Sequence, residues 1–285
     1  MNLYDETRFI MKQNNITANK KLGQNFLVDE NVVDSIIDSA EVTKEDLVIE
    51  IGPGLGTLTK RLLDRAGKVI CIELDYKMIN ILENRFKLYD NIEIINEDVL
   101  KIDLNKLIEL NKNKNIKKAK IVANLPYYIT TPIIMKLLEE KLNIESITVM
   151  IQKEVAQRLA ARPGEKEVGS ITYTIWYYTE PKIVLEVPRD SFIPEPEVTS
   201  SVINLKVLDK PRIEVEDEKI FFKVIKAAFM QKRKTLINAL VNGKIFESKE
   251  EAENCLKENE IDTKIRGEKL SLEQYKLIAD YLKKY

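Results

Sequence analysis

The tetrapeptide Asn124-Leu125-Pro126-Tyr127 is the part of this sequence best suited to chemistry. It follows the apolar run 121–123, which predicts a buried strand, and the proline both ends that strand and keeps the preceding residue extended. The Asn124 side-chain oxygen and the backbone carbonyl of Leu125 could accept the two hydrogens of an NH2 group, and Tyr127 offers a flat face to a planar ring. These residues suit methylation of the exocyclic amine of a stacked base. The alternative is a proline-terminated strand with a core tyrosine.

The composition limits which other chemistry is possible. The 285 residues include no histidine, which excludes His-based triads and HExxH metal sites. The two cysteines, Cys71 and Cys255, form no CxxC pair, so we expect neither a zinc ribbon nor a disulfide framework, and no bound metal. The length predicts about two domains of ~100–200 residues. The polar N-terminus and the lack of an apolar run near ~20 residues predict a cytoplasmic protein that does not enter membranes.

Three further motifs stand at the carboxyl ends of predicted strands. The strand 47–51 leads into a glycine loop, Gly52-Pro53-Gly54-Leu55-Gly56, which can bring backbone N–H groups close to a ligand. Glu73 ends the next strand, where a carboxylate can take two ribose hydroxyls, and Asp98 follows the strand 92–95, where it could accept a bond from an adenine amine. A tight turn and an ordinary turn aspartate are the alternatives.

The glycine spacing argues against a dinucleotide fold. A G-x-G-x-x-G motif would need glycine at position 57 or 59, and both positions are threonine. The pattern acid-x-Gly-x-Gly-x-Gly from Glu50 to Gly56 is instead like that of S-adenosylmethionine sites. Because ligands of open α/β sheets bind beyond the carboxyl ends of the strands, we expect the glycine loop, the two acids and the Asn124 segment to share one crevice.

The distribution of charge and the sequence pattern after residue 170 indicate a second region of the chain, which is basic and helical. The net charge is −1, but the stretch 219–244 has seven basic and no acidic residues, which fits an anionic partner, whereas the lysines of 112–120 fit a solvated surface. The β-branched and aromatic residues of 170–179 predict a strand by propensity. Strands are also predicted over 183–187 and 201–207, a proline-stiffened loop presents Phe192, and from about residue 209 the period is helical.

In its motifs, the sequence resembles the ribosomal RNA adenine N6-dimethyltransferase family, in particular its bacterial small-subunit members. The matching segments occur in order over nearly the whole chain: LGQNFL at 22–27, EIGPGLGTLT at 50–59, the strand ending in Glu73, EDVL at 97–100, NLPYYIT at 124–130, VPRDSFIPEPEVTSSV at 187–202 and AFMQKRKTLINAL at 228–240. The resemblance implies an α/β fold: a Rossmann-like S-adenosylmethionine-dependent methyltransferase domain with a seven-stranded sheet over 1–208, and a small all-helical RNA-binding domain over 209–285. It also implies that 170–179 is a helix.

The resemblance further implies which residues form the site. S-adenosylmethionine would be bound by Asn25, Leu27, Gly52, Gly54, Glu73, Asp98 and Asn124. From the residues themselves, we expect the target base to be held by Asn124, Leu125, Tyr127 and Phe192, the last as a second stacking face. The basic stretch predicts that Lys232, Arg233 and Lys234 bind RNA.

The function implied is N6-dimethylation of two adjacent adenines in a hairpin loop near the 3′ end of small-subunit (16S) rRNA, during biogenesis of the small subunit. The partner would be this rRNA or the immature small subunit, and the chain is expected to be monomeric. Two alternatives stay open at this point. One is a large-subunit rRNA methyltransferase of the antibiotic-resistance type, and the other is a non-catalytic RNA-binding assembly factor.

Overall fold

The computed structural model describes residues 1–19, 22–165, 167–231 and 234–284. Its strands are β1 (Phe26–Leu27), β2 (Asp46–Ile51), β3 (Lys68–Glu73), β4 (Ile92–Asn96), β5 (Lys118–Asn124), β6 (Ser146–Gln152), β7 (Thr179–Val187), β8 (Phe192–Ile193) and β9 (Ser200–Val207). Its helices are α1 (Leu3–Gln13), α2 (Glu30–Ser39), α3 (Thr57–Arg65), α4 (Tyr76–Phe86), α5 (Leu104–Asn111), α6 (Thr130–Glu139), α7 (Lys153–Ala160), α8 (Ser170–Tyr178), α9 (Glu218–Phe229), α10 (Leu236–Asn242), α11 (Lys249–Glu258) and α12 (Leu272–Lys284).

Seven strands form the predicted sheet, in the order β4-β3-β2-β5-β6-β9-β7. Neighbours from β4 to β6 are parallel, and β9 runs antiparallel to β6. The chain moves outward from β2 to β3 and β4 and then returns to place β5 on the other side of β2. This reversal creates a switch point between β2 and β5, which is where open α/β sheets form their ligand crevice.

The central strands are held by burial on both faces. Every residue of β2 is buried, and the interior residues of β5 and β6 are buried as well. Helices α2 and α3 contribute Ile36, Ile37, Leu62 and Leu63 to the core cluster on one face. Continuous apolar runs of this kind are expected of parallel strands covered on both sides.

The chain divides into two compact units, Met1–Ala156 with Lys182–Val207, and Gln157–Pro181 with Leu208–Tyr285. The second unit therefore includes residues 157–181, which the predicted division at 208/209 assigns to the first domain. The reason is aromatic packing: Tyr173 lies 5.0 Å from Tyr275 and Tyr177 5.4 Å from Phe221, measured between ring centroids. From residue 208 onward, the regular elements of the described residues are all helical, as predicted.

The strand predicted over 170–179 by propensity is wrong, because Ser170–Tyr178 is helix α8. The helix implied by the resemblance is confirmed. Thr172, Tyr173, Ile175 and Tyr177 are all buried in α8, so tertiary burial outweighs the weak strand preference of these residue types.

Candidate active site

A cleft opens at the carboxyl ends of β2, β3, β4 and β5, with an empty volume of about 1100 Å³ that includes space open to solvent. It is lined by the glycine loop, by Glu73 and Asp98, by the segment from Asn124 to Tyr127 and by an N-terminal segment of residues 22–27, which we call the cleft loop. The four motifs predicted to share one crevice do so. The adjacency of the four strands in the sheet brings them together.

The glycine loop has the backbone conformation that its composition predicts. Gly52, Gly54 and Gly56 have φ of 65°, 56° and 82°, in the left-handed region that favours glycine. A Cβ on Gly56 would lie 2.5 Å from the Phe86 ring, so this position is also closed to other residues by packing. A Cβ on Gly52 would meet no atom within 4 Å, so its backbone borders open space in the cleft.

Glu73 is fixed by two backbone donors. The Gly54 N–H donates to its Oε2 at 3.1 Å, and the Asp75 N–H donates to its Oε1 at 2.8 Å. The side chain is 8% exposed, and burial raises its pKa above the usual 4.5. Each carboxylate oxygen can accept more than one hydrogen bond, so both oxygens keep capacity for hydroxyl donors from the cleft.

The Asn124 side chain is oriented by the cleft loop. Its Nδ2 donates to the backbone carbonyl of Asn25 at 3.2 Å. A carbonyl oxygen can only accept, so the amide cannot be flipped and its Oδ1 is left as an acceptor. The backbone N–H of Leu125 donates to the Met150 carbonyl at 3.1 Å, which holds the peptide that follows Asn124.

Tyr127 is half-buried and tethered by its hydroxyl. Its Oη and the Oγ of the buried Ser200 are 2.6 Å apart, and burial raises the pKa of the phenol. The ring is therefore held at both ends, by its backbone in the turn after β5 and by β9. Tyr128, 58% exposed, also lines the cleft.

Asp98 and Leu27 occupy the cleft in different ways. The Oδ1 of Asp98 caps the short 3-10 turn that begins at Val99 by accepting from the Leu100 N–H at 3.0 Å, and within the described chain no hydrogen bond reaches its Oδ2. Leu27 is 2% exposed and lines the cleft while it also belongs to the core cluster.

Among the described residues, Phe192 is the one predicted to lie at the cleft that does not line it. It is 3% exposed, lies in the core cluster and does not line the cleft. The pairing of β8 with β1 sets Phe192 opposite Leu27, and both side chains belong to the same core cluster. Its predicted position as a second stacking face on the cleft is therefore not found.

Of the residues expected to bind RNA, Lys232 and Arg233 lie outside the described residues. Lys234 is exposed. Lys219, Lys223 and Lys226 are exposed too, and their spacing of four and three residues places them along one face of α9, which we call the α9 stripe. Among the residues the structure describes, no ion pair engages any lysine of the stripe.

Sequence reasoning assigned no individual role to two buried or half-buried residues at the cleft, although Glu50 is the acid of the glycine-loop pattern. Gln24 links the cleft loop to Asp75, with its Nε2 donating to Oδ2 at 2.9 Å. Glu50, 1% exposed, accepts from the Thr59 hydroxyl at 2.6 Å, and burial raises its pKa to about 7. Both residues stand within the matched motifs, which is the only signal that could have found them.

The described residues hold no helix long and apolar enough to cross a membrane. They also contain no group of three or more Cys, Asp or Glu side chains arranged to hold a metal ion.

The parallel sheet, its antiparallel β9 and the cleft of glycine loop, acid and Asn-Pro segment define an α/β protein of the Rossmann-like methyltransferase class. Residues 15–284 match the family model described as ribosomal RNA adenine dimethylase. The chain belongs to that family.

Three relatives show how far the likeness extends. The chain is 47% identical over 280 residues to the ribosomal RNA small subunit methyltransferase A of Alkaliphilus oremlandii, and the match covers 98% of this chain and 96% of the relative. A dimethyladenosine transferase of Plasmodium falciparum superposes with a TM-score of 0.75 at 25% identity, covering 91% of this chain and 98% of the other. The 23S rRNA methyltransferase ErmE superposes with a TM-score of 0.69 at 25% identity, covering 91% and 100%.

Proposed function

We propose that this chain transfers methyl groups from S-adenosylmethionine to the exocyclic N6 of adenine in small-subunit (16S) rRNA. Two adjacent adenines in a hairpin loop near the 3′ end are each methylated twice, during biogenesis of the small subunit. The observation that carries the proposal is the Asn124 amide, oriented by the Asn25 carbonyl so that Oδ1 is an acceptor in the same cleft as Glu73.

The cleft fits the nucleoside and sulfonium parts of the cofactor. Glu73 would take the ribose hydroxyls, since its buried carboxylate keeps acceptor capacity beside two backbone donors. Asp98 has an Oδ2 available for an adenine amine, and Gly52 borders space in which a ligand can approach the backbone closely. Asn25, Leu27 and Gly54 complete the lining on this side. When bound, the cofactor supplies an electrophilic methyl group.

The chain's own residues would hold the amine. The adenine N6 is a poor nucleophile because its lone pair is delocalised into the ring. Hydrogen bonds from its two N–H groups to Asn124 Oδ1 and the Leu125 carbonyl would favour a pyramidal nitrogen whose lone pair points away from both acceptors. Alignment of this kind can supply about 7–11 kcal/mol of a barrier. The aminium formed on attack is a strong acid, so no side chain has to act as a base beforehand.

Tyr127 would stack on the base. A base inside a helix cannot reach a cleft, so the target must leave its stack, at a cost of a few kcal/mol that is smallest in loops. Stacking of the base on one aromatic face contributes about 1–3 kcal/mol, which offsets this cost. The hydroxyl bond to Ser200 fixes the ring before the base arrives, which lowers the entropy lost on binding. Phe192 contributes a second face only if the β8 segment rearranges, since its ring is buried in the core.

The basic residues of the second unit would bind the RNA backbone. The three exposed lysines of the α9 stripe, which have no acidic partner among the described residues, form a local positive surface together with Lys234 in a chain whose net charge is −1. Lys232 and Arg233 belong to the same proposal on sequence grounds. Contacts of this kind position an RNA without reading its sequence.

Sequence identity to relatives distinguishes the small-subunit hypothesis from the large-subunit hypothesis better than similarity of fold does. The dimethyladenosine transferase and ErmE both superpose closely, so the fold is compatible with either target. The relative named for the small subunit shares 47% of its residues with this chain, against 25% for ErmE. A ribosomal RNA substrate also supports the predicted cytoplasmic location. We also propose that the chain is monomeric and binds no metal ion.

The test is nucleoside mass spectrometry after incubation of the protein and S-adenosylmethionine with under-methylated small subunits and, separately, with large subunits. We expect dimethyladenosine from the small subunits alone, and none with the variant Asn124→Ala. Methylation confined to large subunits would support the resistance-type hypothesis. Tight binding to small subunits without methyl transfer would support the assembly factor.

A further inference from the structure

The cleft loop connects the two ends of the active site through consecutive residues. At one end, the carbonyl of Asn25 accepts from Asn124 Nδ2, which fixes the proposed amine acceptor. At the other end, the neighbouring Gln24 donates to Asp75 Oδ2, and the Asp75 N–H donates to Glu73 Oε1. The proposed amine acceptor and the proposed ribose acceptor are thus joined through one two-residue piece of chain.

The orientation of the Gln24 amide is fixed by chemistry at both of its atoms. Its Oε1 accepts from the backbone N–H of Asn19 at 2.9 Å, and its Nε2 donates to the carboxylate of Asp75 at 2.9 Å. A flipped amide would set a donor against the N–H and an acceptor against the carboxylate. Both bonds therefore exist only in the observed orientation, and a bond to a charged acceptor is among the stronger kinds.

Asp75 is itself held in place. Its Oδ1 accepts from the Lys77 N–H at 3.0 Å as the cap of α4, while Oδ2 takes the bond from Gln24. The anchor for the cleft loop is therefore the start of a helix that packs on the sheet. In contrast, the strand of the cleft loop, β1, is only two residues long and pairs with an equally short β8.

We propose that Gln24 is a positioning residue, whose bond to Asp75 holds the cleft loop in the conformation that binds S-adenosylmethionine and orients Asn124. The inference rests on the proposed function and deepens it. Gln24 acts through Asp75 and Asn25 and is not assigned to contact the reacting atoms. Loss of its bond is expected to weaken cofactor binding, because residues 22–27 line the cleft and would no longer be held beside Glu73.

The experiment exchanges donor and acceptor. Gln24→Glu sets two carboxylates against each other, and Asp75→Asn sets an NH2 group against Gln24 Nε2, so each single variant loses the bond. The double variant restores it in reverse: the carboxylate introduced at position 24 accepts from both the Asn19 N–H and the amide introduced at position 75, whose oxygen still caps α4. The net charge of the double variant is that of the wild type. Gln13→Glu, exposed at the end of α1, is the control for charge alone.

Calorimetry with S-adenosylmethionine in the absence of RNA gives the readout. Each single variant should raise Kd about tenfold, or about 1.4 kcal/mol, and the double variant should return to within about threefold of wild type. Because Kd is measured on folded protein, a bond that only stabilised the fold would leave Kd unchanged in the single variants. Because folding could fail in a single variant, the double variant is the second test. Wild-type affinity of the double variant, with single variants that bind weakly or do not fold, supports the proposal, and affinity of the double variant weakened tenfold or more overturns it.

The outcome also distinguishes this inference from the proposed function. Wild-type protein that binds S-adenosylmethionine, with both single variants binding equally well, would overturn the role of Gln24 and leave the proposed function standing. Wild-type protein that binds no S-adenosylmethionine would overturn both.

Discussion

At the scale of single residues, Asn124 allows chemistry to be separated from binding. Asn124→Ala removes an acceptor that is proposed to act on the amine in the transition state, so we expect the single-turnover rate at saturating cofactor and RNA to fall by about 10²–10³. RNA affinity should change little, since the amide contributes little to the bound RNA in the ground state. Asn84→Ala, on the exposed side of α4, is the matched control. Transfer at the wild-type rate in Asn124→Ala would exclude this role.

Glu50 is a second residue that gives a testable prediction, because its buried surroundings should make the stability of the protein depend on pH. Its carboxyl group is buried beside Thr59, with its pKa raised from 4.5 to about 7, mainly by desolvation. The folded state therefore holds a proton between these two pH values that the unfolded state has released. Stability from this group is complete below about pH 4.5 and is lost as the pH rises through 7, by about 3 kcal/mol.

The variant Glu50→Gln should remove that dependence. Its oxygen can still accept from the Thr59 hydroxyl, and it does not titrate. We expect the free energy of unfolding in urea to fall with pH between 4 and 8 by about 3 kcal/mol less in the variant than in the wild type. Glu83→Gln, on the exposed surface of α4, should leave the wild-type profile unchanged. Parallel profiles for wild type and Glu50→Gln would show that Glu50 ionises normally.

At the scale of elements, the strands were predictable and the loop packing was not. The runs 47–51, 69–73, 92–95 and 121–123 are short, apolar and punctuated by glycine, proline or an acid, so both their type and the motifs at their ends follow from local rules. Helix α8 was not predictable from propensity. Its aromatic residues are buried in a core that they form with helices distant in sequence, and this burial decides their secondary structure.

Long-range loop contacts also escape sequence reasoning. The pairing of Phe192 with Leu27 joins two-residue strands, and the bond from Gln24 to Asp75 joins residues 51 positions apart. Neither contact is accompanied by a periodic sequence pattern that would predict it. The acids, the amide and the glycines were predicted to share one cleft and do line it, whereas Phe192, predicted as a second stacking face, is buried in the core cluster.

The α9 stripe gives a prediction that belongs to an element. Changing Lys219, Lys223 and Lys226 together to Gln should weaken RNA binding and reduce the slope of log affinity against log salt by about two, since each lysine at a phosphate contributes roughly 0.7–0.9 to that slope. The matched control changes Lys249, Lys257 and Lys264, which are exposed in the same unit and lie among acidic residues. Equal salt slopes for the stripe variant and the wild type would indicate that the stripe is solvated surface.

At the scale of the whole molecule, each of the two compact units has its own hydrophobic core and carries one of the two proposed binding activities. The cleft and Glu73 belong to the first unit, and the α9 stripe belongs to the second. Substitutions at sites that share no partner usually add in free energy within about 0.3–0.5 kcal/mol. Glu73 and the stripe lysines share no partner among the described residues.

We therefore predict that cofactor affinity and RNA affinity can be altered independently. Glu73→Ala should raise the Kd for S-adenosylmethionine at least about tenfold without changing RNA affinity, because it removes the proposed ribose acceptor. The stripe variant should do the reverse, and the combined variant should show both losses at their separate sizes. Calorimetry for the cofactor and filter binding for the RNA at one fixed salt concentration measure the two quantities. A combined loss that differs from the separate losses by more than about 1 kcal/mol would mean that the two units are coupled in binding.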